Sequence, residues 1–431
     1  VIDHLAEQTI LIVDDEARVR DSVREVLSDE GYRVVDTADV NRVLEMIDAE
    51  KPGLILLDIW MPQADGIGLL KEIKNKEPEM NVVMISGHGN IHTAVTATKF
   101  GAFDFLEKPL SLEGLLLTVR RALGGSHATD PRARARSRKG PVKISGISTG
   151  RAAGTGRLRQ KTLSQSVVTS GQGLHSGIKT GLVLHPLPPN SGIQFTGISA
   201  DATVRADLDN VFSTGYATTL RNRGISIATV EHFLAALHSY GITNLLVKVQ
   251  TEVPILDGSA IEFCRLIEEA GIEEQDEECA EIVVDRPYRL VKENGASIAL
   301  EPAETFSVTY ELSYPKPVGR QQYRYLYRGP ESFKEEIAPA RTFGFLRDIA
   351  QLEKMGLAAG GRLSNFILID DEKIINTELR FPDELARHKI LDILGDFYLL
   401  GRPVRGALSA VMTGHSDNIA LLRELKRGMG L

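Results

Sequence analysis

Arg387-His388-Lys389-Ile390-Leu391-Asp392 is the stretch on which the reading of the C-terminal part of this chain turns. Read as a helix, it places His388 and Asp392, four residues apart, on one face. Both can then point at one metal ion. Far upstream, the dipeptide Glu231-His232 offers a second nitrogen. Two nitrogens and one carboxylate leave a coordination position open, which is the ligand count of a catalytic zinc centre rather than a closed structural one. Glu231, next to a ligand, is placed to take a proton from water.

Further blocks follow in register around these residues. They are Thr229-Val230-Glu231-His232, Leu256-Asp257-Gly258-Ser259-Ala260, Ala340-Arg341-Thr342-Phe343-Gly344-Phe345, Arg387-His388-Lys389 through Gly395-Asp396, and Gly414-His415. Together they closely resemble the zinc-dependent UDP-3-O-acyl-N-acetylglucosamine deacetylases of lipid A biosynthesis (the LpxC family). The resemblance runs from about Gln160 to the C-terminus. It implies an α+β region of two similar halves with helices sandwiched between sheets. It also implies Zn²⁺ as cofactor and hydrolysis of the N-acetyl group of UDP-3-O-(3-hydroxyacyl)-N-acetylglucosamine, the committed step of lipid A assembly.

The resemblance makes His232, His388 and Asp392 the zinc ligands and Glu231 the general base. Thr342 and Lys389 match positions near the oxyanion of the tetrahedral intermediate. His415 is a general acid or cationic stabiliser, with Asp396 one helical turn beyond Asp392 to hold it; alternatively Glu231 itself returns the proton. Phe343 contacts the sugar or acyl chain, or packs in the core. Asp257-Gly258-Ser259 reads first as a turn. An inserted βαβ element, the family's acyl-chain passage, falls at about Gly344 to Asp371. There Gly360-Gly361-Arg362-Leu363-Ser364 departs from the family's Gly-Gly-Ser-Leu-type turn, which leaves the acyl length open. Thr309 to Pro317 matches the nucleotide pocket only loosely. His175, His185, His238, Cys264 and Cys279 read as structural.

The first part of the chain has a different pattern. Ile10-Leu11-Ile12-Val13, Leu54-Ile55-Leu56-Leu57 and Val82-Val83-Met84-Ile85 read as buried parallel strands. Amphipathic stretches follow, such as Arg18 to Asp29 and Gly66 to Lys74, predicting a βα-repeat. Asp14 and Asp15 follow the first strand, Asp58 ends the third and Lys108 follows the fifth. These are carboxyl-end positions, where open parallel sheets bind ligands. Clustered carboxylates call for a hard cation such as Mg²⁺, and an aspartate can accept a phosphoryl group. Asp14-Asp15, Asp58-Ile59-Trp60-Met61-Pro62, Asp65-Gly66, Ser86-Gly87 and Lys108-Pro109 resemble a response-regulator receiver of the NtrX type. That implies a flavodoxin-like domain with a five-stranded parallel sheet. Asp58 would be phosphorylated, and Asp14, Asp15 and Asp58 would hold Mg²⁺. Lys108 would bind the phosphoryl group, and Ser86 and Phe105 would be the switch pair. A cognate sensor histidine kinase is the implied partner. No GxxxxGK[ST] occurs, so the ATPase that normally follows such receivers is not visible.

The expected order is therefore a receiver at 1–124, a basic Gly/Ser/Arg linker at 125–157, and deacetylase halves at 158–280 and 281–431. The linker carries Arg132, Arg134, Arg136, Arg138 and Lys139. It reads as a solvated tether, or as a peripheral contact with anionic head groups of the inner membrane. A length of 431 residues predicts two or three domains, and 42% hydrophobic with 25% charged residues is ordinary globular composition. The formal charge of -8 argues against a nucleic-acid binder. Two cysteines give no disulfide framework, Val1-Ile2-Asp3-His4 does not begin a signal peptide, and no run of about 20 apolar residues occurs. A cytoplasmic enzyme regulated by its receiver is the expectation. The rival readings are a nucleotide-sugar-lipid sensor without turnover, and simple co-localisation of two enzymes through receiver dimerisation.

Overall fold

A computed structural model describes residues 8–61, 64–86, 96–97, 100–108, 110, 112–123, 157–198 and 202–431. Val1 to His4, Pro62, Gly87, Pro109 and the basic run Arg132 to Lys139 lie outside the described residues. The chain divides into two compact units, Val1–Arg151 and Ala152–Leu431.

In the first unit, β1 (Thr9–Val13), α1 (Ala17–Asp29), β2 (Arg33–Thr37), α2 (Val43–Glu50), β3 (Leu54–Asp58), α3 (Gly66–Lys76), β4 (Asn81–Ser86), β5 (Asp104–Glu107) and α4 (Leu112–Ala122) follow in order. The sheet is β2-β1-β3-β4-β5, every pair parallel. β1 and β3 are buried along their whole length, so they read as unbroken apolar runs rather than alternations. The period of two sends Leu11, Val13, Ile55 and Leu57 to one core and Ile10, Ile12, Leu54 and Leu56 to the other. Strand order reverses at the β1–β3 pair, which brings Asp14 and Asp58 to the crevice where ligands of such sheets bind.

The second unit opens with β6 (Arg157–Leu163), whose first residue lies one position inside the expected linker. Next come β7 (Val167–Gln172), β8 (Lys179–Pro186), β9 (Ile193–Thr196), β10 (Thr203–Arg205), and a small three-stranded sheet of β11 (Val211–Ser213), β12 (Thr219–Asn222) and β13 (Ile225–Ile227). α5 (Glu231–Tyr240), β14 (Leu245–Val249), α6 (Ile261–Ala270) and β15 (Ile272–Ala280), which pairs back onto β6, complete the first half. The second half has β16 (Tyr288–Val291), β17 (Ser297–Glu301), β18 (Ser307–Ser313), β19 (Arg320–Leu326) and α7 (Pro330–Glu336). It continues with β20 (Phe343–Phe345), α8 (Leu346–Lys354), β21 (Ile367–Ile369), α9 (Glu384–Phe397), β22 (Ala407–Val411) and α10 (His415–Met429).

The two main sheets have one topology. The first is β10-β9-β14-β8-β7 and the second β19-β18-β22-β17-β16. In each, the late central strand runs parallel to one neighbour (β9 or β18) and antiparallel to the other. α5 precedes the central strand of the first half and α9 that of the second. The repeat expected from family resemblance is therefore visible in the strand order, although not in the amino-acid sequence. β20-α8-β21 is the inserted βαβ unit, with β20 and β21 parallel.

α5 and α9 are central helices. Only His238 in α5, and only Arg387 and Lys389 in α9, escape the buried class. A helix buried on every side needs cover on every side. That cover comes from one continuous core containing Leu184, Phe195 and Val247 of the first sheet and Leu300, Tyr310 and Leu408 of the second.

Candidate metal centre and active site

α5 and α9 meet at Gly395. A β-carbon added there would lie 2.0 Å from the main-chain oxygen of Glu231, so only glycine permits this approach. The contact brings the first turn of α5, with Glu231 and His232, against the middle of α9. His388 Nδ1 lies 3.1 Å from the carbonyl of Ala340. A carbonyl only accepts, so Nδ1 carries the proton and Nε2 keeps its lone pair. His388 Nε2 is 3.5 Å and His232 Nε2 3.6 Å from Asp392 Oδ1. The two rings are perpendicular, with centroids 4.9 Å apart. His232 Nδ1 is buried without a hydrogen-bond partner.

These three atoms fit a zinc ion. Bonds of about 2.0–2.1 Å in tetrahedral array put ligand atoms about 3.3 Å apart, close to the two separations present. Lys389 Nζ donates to Asp392 Oδ2 at 2.6 Å, which leaves Oδ1 facing the imidazoles. Burial pushes the Asp392 carboxyl up, but Lys389 and His388 outweigh it and hold the group well below its usual range. Burial lowers His388 to about 3, so its ring stays neutral as a metal ligand must. Burial also opposes the Lys389 charge, yet Asp392 beside it keeps the ammonium protonated.

A carboxylate and an imidazole, Glu231 and His415, face each other beside this cluster. Glu231 Oε2 accepts the Thr218 main-chain N–H at 3.1 Å, and Oε1 lies 3.9 Å from His415 Nε2. Burial raises the Glu231 pKa, with His415 and His232 opposing. His415 Nδ1 donates to Asp396 Oδ2 at 2.8 Å. Burial works against the imidazolium, but Asp396 lifts it to about 9. Asp396 also accepts from Asn418 Nδ2 at 2.8 Å and from the Thr218 hydroxyl at 2.7 Å.

Glu231, His232, His388, Lys389, Asp392 and His415 line a cleft of about 410 Å³, whose walls also include Tyr216, Tyr314, Thr342, Phe343 and Met412. Phe343 presents its ring edge-to-face to His388, with centroids 6.2 Å apart. Thr342 is held by its N–H on the Gly258 carbonyl at 2.8 Å. Gly258 has φ +86° and belongs to the Asp257-Gly258-Ser259 turn, which is closed by Ser259 N–H on Asp257 Oδ1 at 3.0 Å. The motif read as a turn is a turn, and it carries Thr342. Thr218 and Asn418 carry no motif in the sequence; their partners lie 13, 178 and 22 residues away in the chain.

In the first unit, Lys108 Nζ lies 2.9 Å from Asp14, 3.0 Å from Asp58 and 3.0 Å from Glu16. Oxygens of Asp14, Glu16 and Asp58 lie within 4.8 Å of one another, an all-oxygen set suited to a hard cation. Asp15 is exposed and lies outside this cluster, and the third oxygen within reach is that of Glu16, which is exposed as well. Ser86 is fully buried at the end of β4, and Phe105, half-buried on β5, pairs with Met84.

Residues 160–427 match the sequence profile of UDP-3-O-acyl N-acetylglycosamine deacetylases, and residues 10–120 match that of response regulator receiver domains. The chain is 44% identical over 270 residues to a UDP-3-O-acyl-N-acetylglucosamine deacetylase of Myxococcus xanthus, covering 62% of this chain and 86% of that protein. It is 40% identical over 270 residues to the deacetylase of the same name from Nautilia profundicola, covering 62% of this chain and 92% of that one. Among solved structures, the receiver domain of NtrX from Brucella abortus is similar at 50% identity. It covers 27% of this chain and 99% of that one, with a TM-score of 0.26.

Proposed function

Since the chain belongs to the UDP-3-O-acyl-N-acetylglucosamine deacetylase family and carries a response regulator receiver domain ahead of that region, we propose that it hydrolyses the N-acetyl group of UDP-3-O-(3-hydroxyacyl)-N-acetylglucosamine in lipid A biosynthesis. The observation that carries this reading is the convergence of His232 Nε2, His388 Nε2 and Asp392 Oδ1 beside the facing pair Glu231 and His415. His232, His388 and Asp392 would hold Zn²⁺. Bound there, the ion supplies a Lewis acid that acidifies water and polarises an amide carbonyl.

The chain's own groups handle the protons. Glu231 Oε2 is occupied by the Thr218 N–H, so Oε1 is the oxygen free to take a proton from water. The attacked carbonyl develops an oxyanion, near which Thr342 and Lys389 offer donors. As the C–N bond breaks, the amine nitrogen needs a proton. His415 supplies it from Nε2, because Nδ1 is committed to Asp396. The products are acetate and the free amine. Glu231 is then protonated and His415 neutral; passage of one proton across the 3.9 Å between them restores both. Phe343 and the βαβ insert border the acyl side of the cleft in this reading.

The receiver would take a phosphoryl group on Asp58 from a sensor histidine kinase. Mg²⁺ held by carboxylates around Asp14 and Asp58 would neutralise the charge, and Lys108 would bind the transferred group. Phosphorylation would tune deacetylase output; equal turnover with and without confirmed phosphorylation of Asp58 would remove that part. No helix among the described residues is long and apolar enough to cross a membrane. The whole reading is tested by acetate release from the substrate. Activity abolished by chelation and by Glu231→Gln supports it. A folded, zinc-loaded chain that releases no acetate, phosphorylated or not, refutes it in favour of the sensor.

A further inference from the structure

We infer that Thr218 is a positioning residue that locks the two proton-transfer groups into their roles. The inference rests on the hydrolytic reading above. Thr218 has no exposed surface and sits just before β12, outside every motif named in the sequence. It makes three contacts. Its carbonyl accepts the Val230 N–H at 3.4 Å, just ahead of α5. Its own N–H goes to Glu231 Oε2 at 3.1 Å. Its hydroxyl donates to Asp396 Oδ1 at 2.7 Å, on α9. One residue thus ties the carboxylate of the base to the carboxylate behind the acid.

The consequences are atom-specific. With Oε2 of Glu231 held, the carboxylate cannot turn freely, and Oε1 stays on the side of His415. With Oδ1 of Asp396 held by the hydroxyl, Oδ2 stays on His415 Nδ1 and Asn418. The His415 ring is therefore oriented with Nε2 toward Glu231. Loss of the hydroxyl leaves Asp396 Oδ1 buried without a donor, and the cheapest relief is rotation of the carboxylate, which misdirects His415. Outer partners of this kind typically cost about 10–100-fold in activity when removed.

The test uses the full chain. Thr218→Val removes the hydroxyl at nearly constant volume, and Thr218→Ser restores it. The expected result is a fall in kcat of about 10–100-fold for valine with KM and zinc content unchanged, and recovery to within about threefold for serine. Thr218→Ala takes the place of valine if circular dichroism shows that variant unfolded. A merely structural threonine would add its effect to any other loss. The Thr218 hydroxyl, if it positions, acts only through Asp396, so Thr218→Val should cost almost nothing further in an Asp396→Asn background. Near wild-type kcat for the valine and alanine variants, or full additivity with Asp396→Asn, overturns the inference while leaving the hydrolytic reading intact. Inactivity of the parent chain itself would instead overturn the hydrolytic reading.

Discussion

Gly395→Ala adds one methyl group and should dismantle the metal centre. The built β-carbon lies 2.0 Å from the Glu231 oxygen, 2.7 Å from its carbonyl carbon and 2.9 Å from its α-carbon. All three are main-chain atoms, so no side chain can swing away. Contacts under 3.0 Å essentially never occur, so α5 and α9 must part locally by about 1 Å. Separations of 3.5 and 3.6 Å between ligand atoms match a tetrahedral edge. His232 travels with α5, and His388 and Asp392 with α9, so the opening falls on the 3.6 Å His232–Asp392 edge. A displacement of about 1 Å at a reacting centre costs on the order of 100-fold. Helix propensity pulls the other way, since alanine is favoured over glycine by about 1 kcal/mol within a helix. The two terms separate in experiment. Zinc affinity, measured by competition with a chromophoric chelator, should weaken by at least about tenfold, and kcat/KM by about 100-fold. The melting temperature of the zinc-free chain should shift by only a few degrees, as overpacking and propensity partly offset. Zinc affinity and turnover both within threefold of the parent would refute the argument that the Gly395 contact sets the site.

Three further outcomes follow from named groups. The folded pKa of His415 is raised from 6.5 to about 9, so its cation should persist through neutrality. kcat/KM should fall as pH rises through about 9, and Asp396→Asn should move that limb toward 6.5; a limb that stays put would exclude His415 as its source. The Arg341–Glu384 pair is buried, with Nε on Oε1 at 2.8 Å, and Arg341→Ala strands the carboxylate. A loss of about 3–5 kcal/mol is expected, roughly a 10 °C fall in melting temperature, and an unchanged melt would contradict it. Trp60 is the chain's one tryptophan, 61% exposed, and its main-chain N–H donates to Asp58 Oδ1 at 3.4 Å. Mg²⁺ should change its emission saturably, and Asp58→Asn should abolish the response; a response surviving in that variant would place the cation elsewhere.

Local patterns carried much of this molecule. The i,i+4 spacing of His388 and Asp392 survives folding because α9 is regular, and helix geometry alone aligns them. The receiver strands were legible because strands buried on both faces are unbroken apolar runs. The placement of Asp14 and Asp58 side by side followed from strand ends, whereas the sequence did not show that Asp15 stands outside their cluster. Asp15 and Glu16 are both exposed, and a spacing argument cannot say which of the two carboxylates reaches back to Asp14 and Asp58. Thr218 was silent for another reason: a threonine in a loop has no periodicity, and its meaning lies in partners 13 and 178 residues away. Gly395 stood inside a quoted motif, yet a glycine within a helix shows in sequence only a loss of propensity, not the backbone that approaches it.

The shared topology of the two halves explains why the site lies where it does. In each half a helix precedes the central strand, and these helices, α5 and α9, pack on each other. Each half also carries one insertion just ahead of that helix: the β11–β13 sheet in the first, the β20-α8-β21 unit in the second. Because the halves are alike, their insertions both reach the contact of the two helices. Tyr216 lies in the first insertion, between β11 and β12, and Thr342 and Phe343 lie at the start of the second; all three wall the cleft. In the proposed reading the chemistry is divided unevenly over this symmetric frame. α5 gives the base and one nitrogen. α9 gives the other nitrogen, the ligand carboxylate and, one turn on, the aspartate that holds His415. Neither half has a complete set, so the proposed metal centre can form only when both have folded and docked, and metal affinity would report their packing as directly as it reports the ligands.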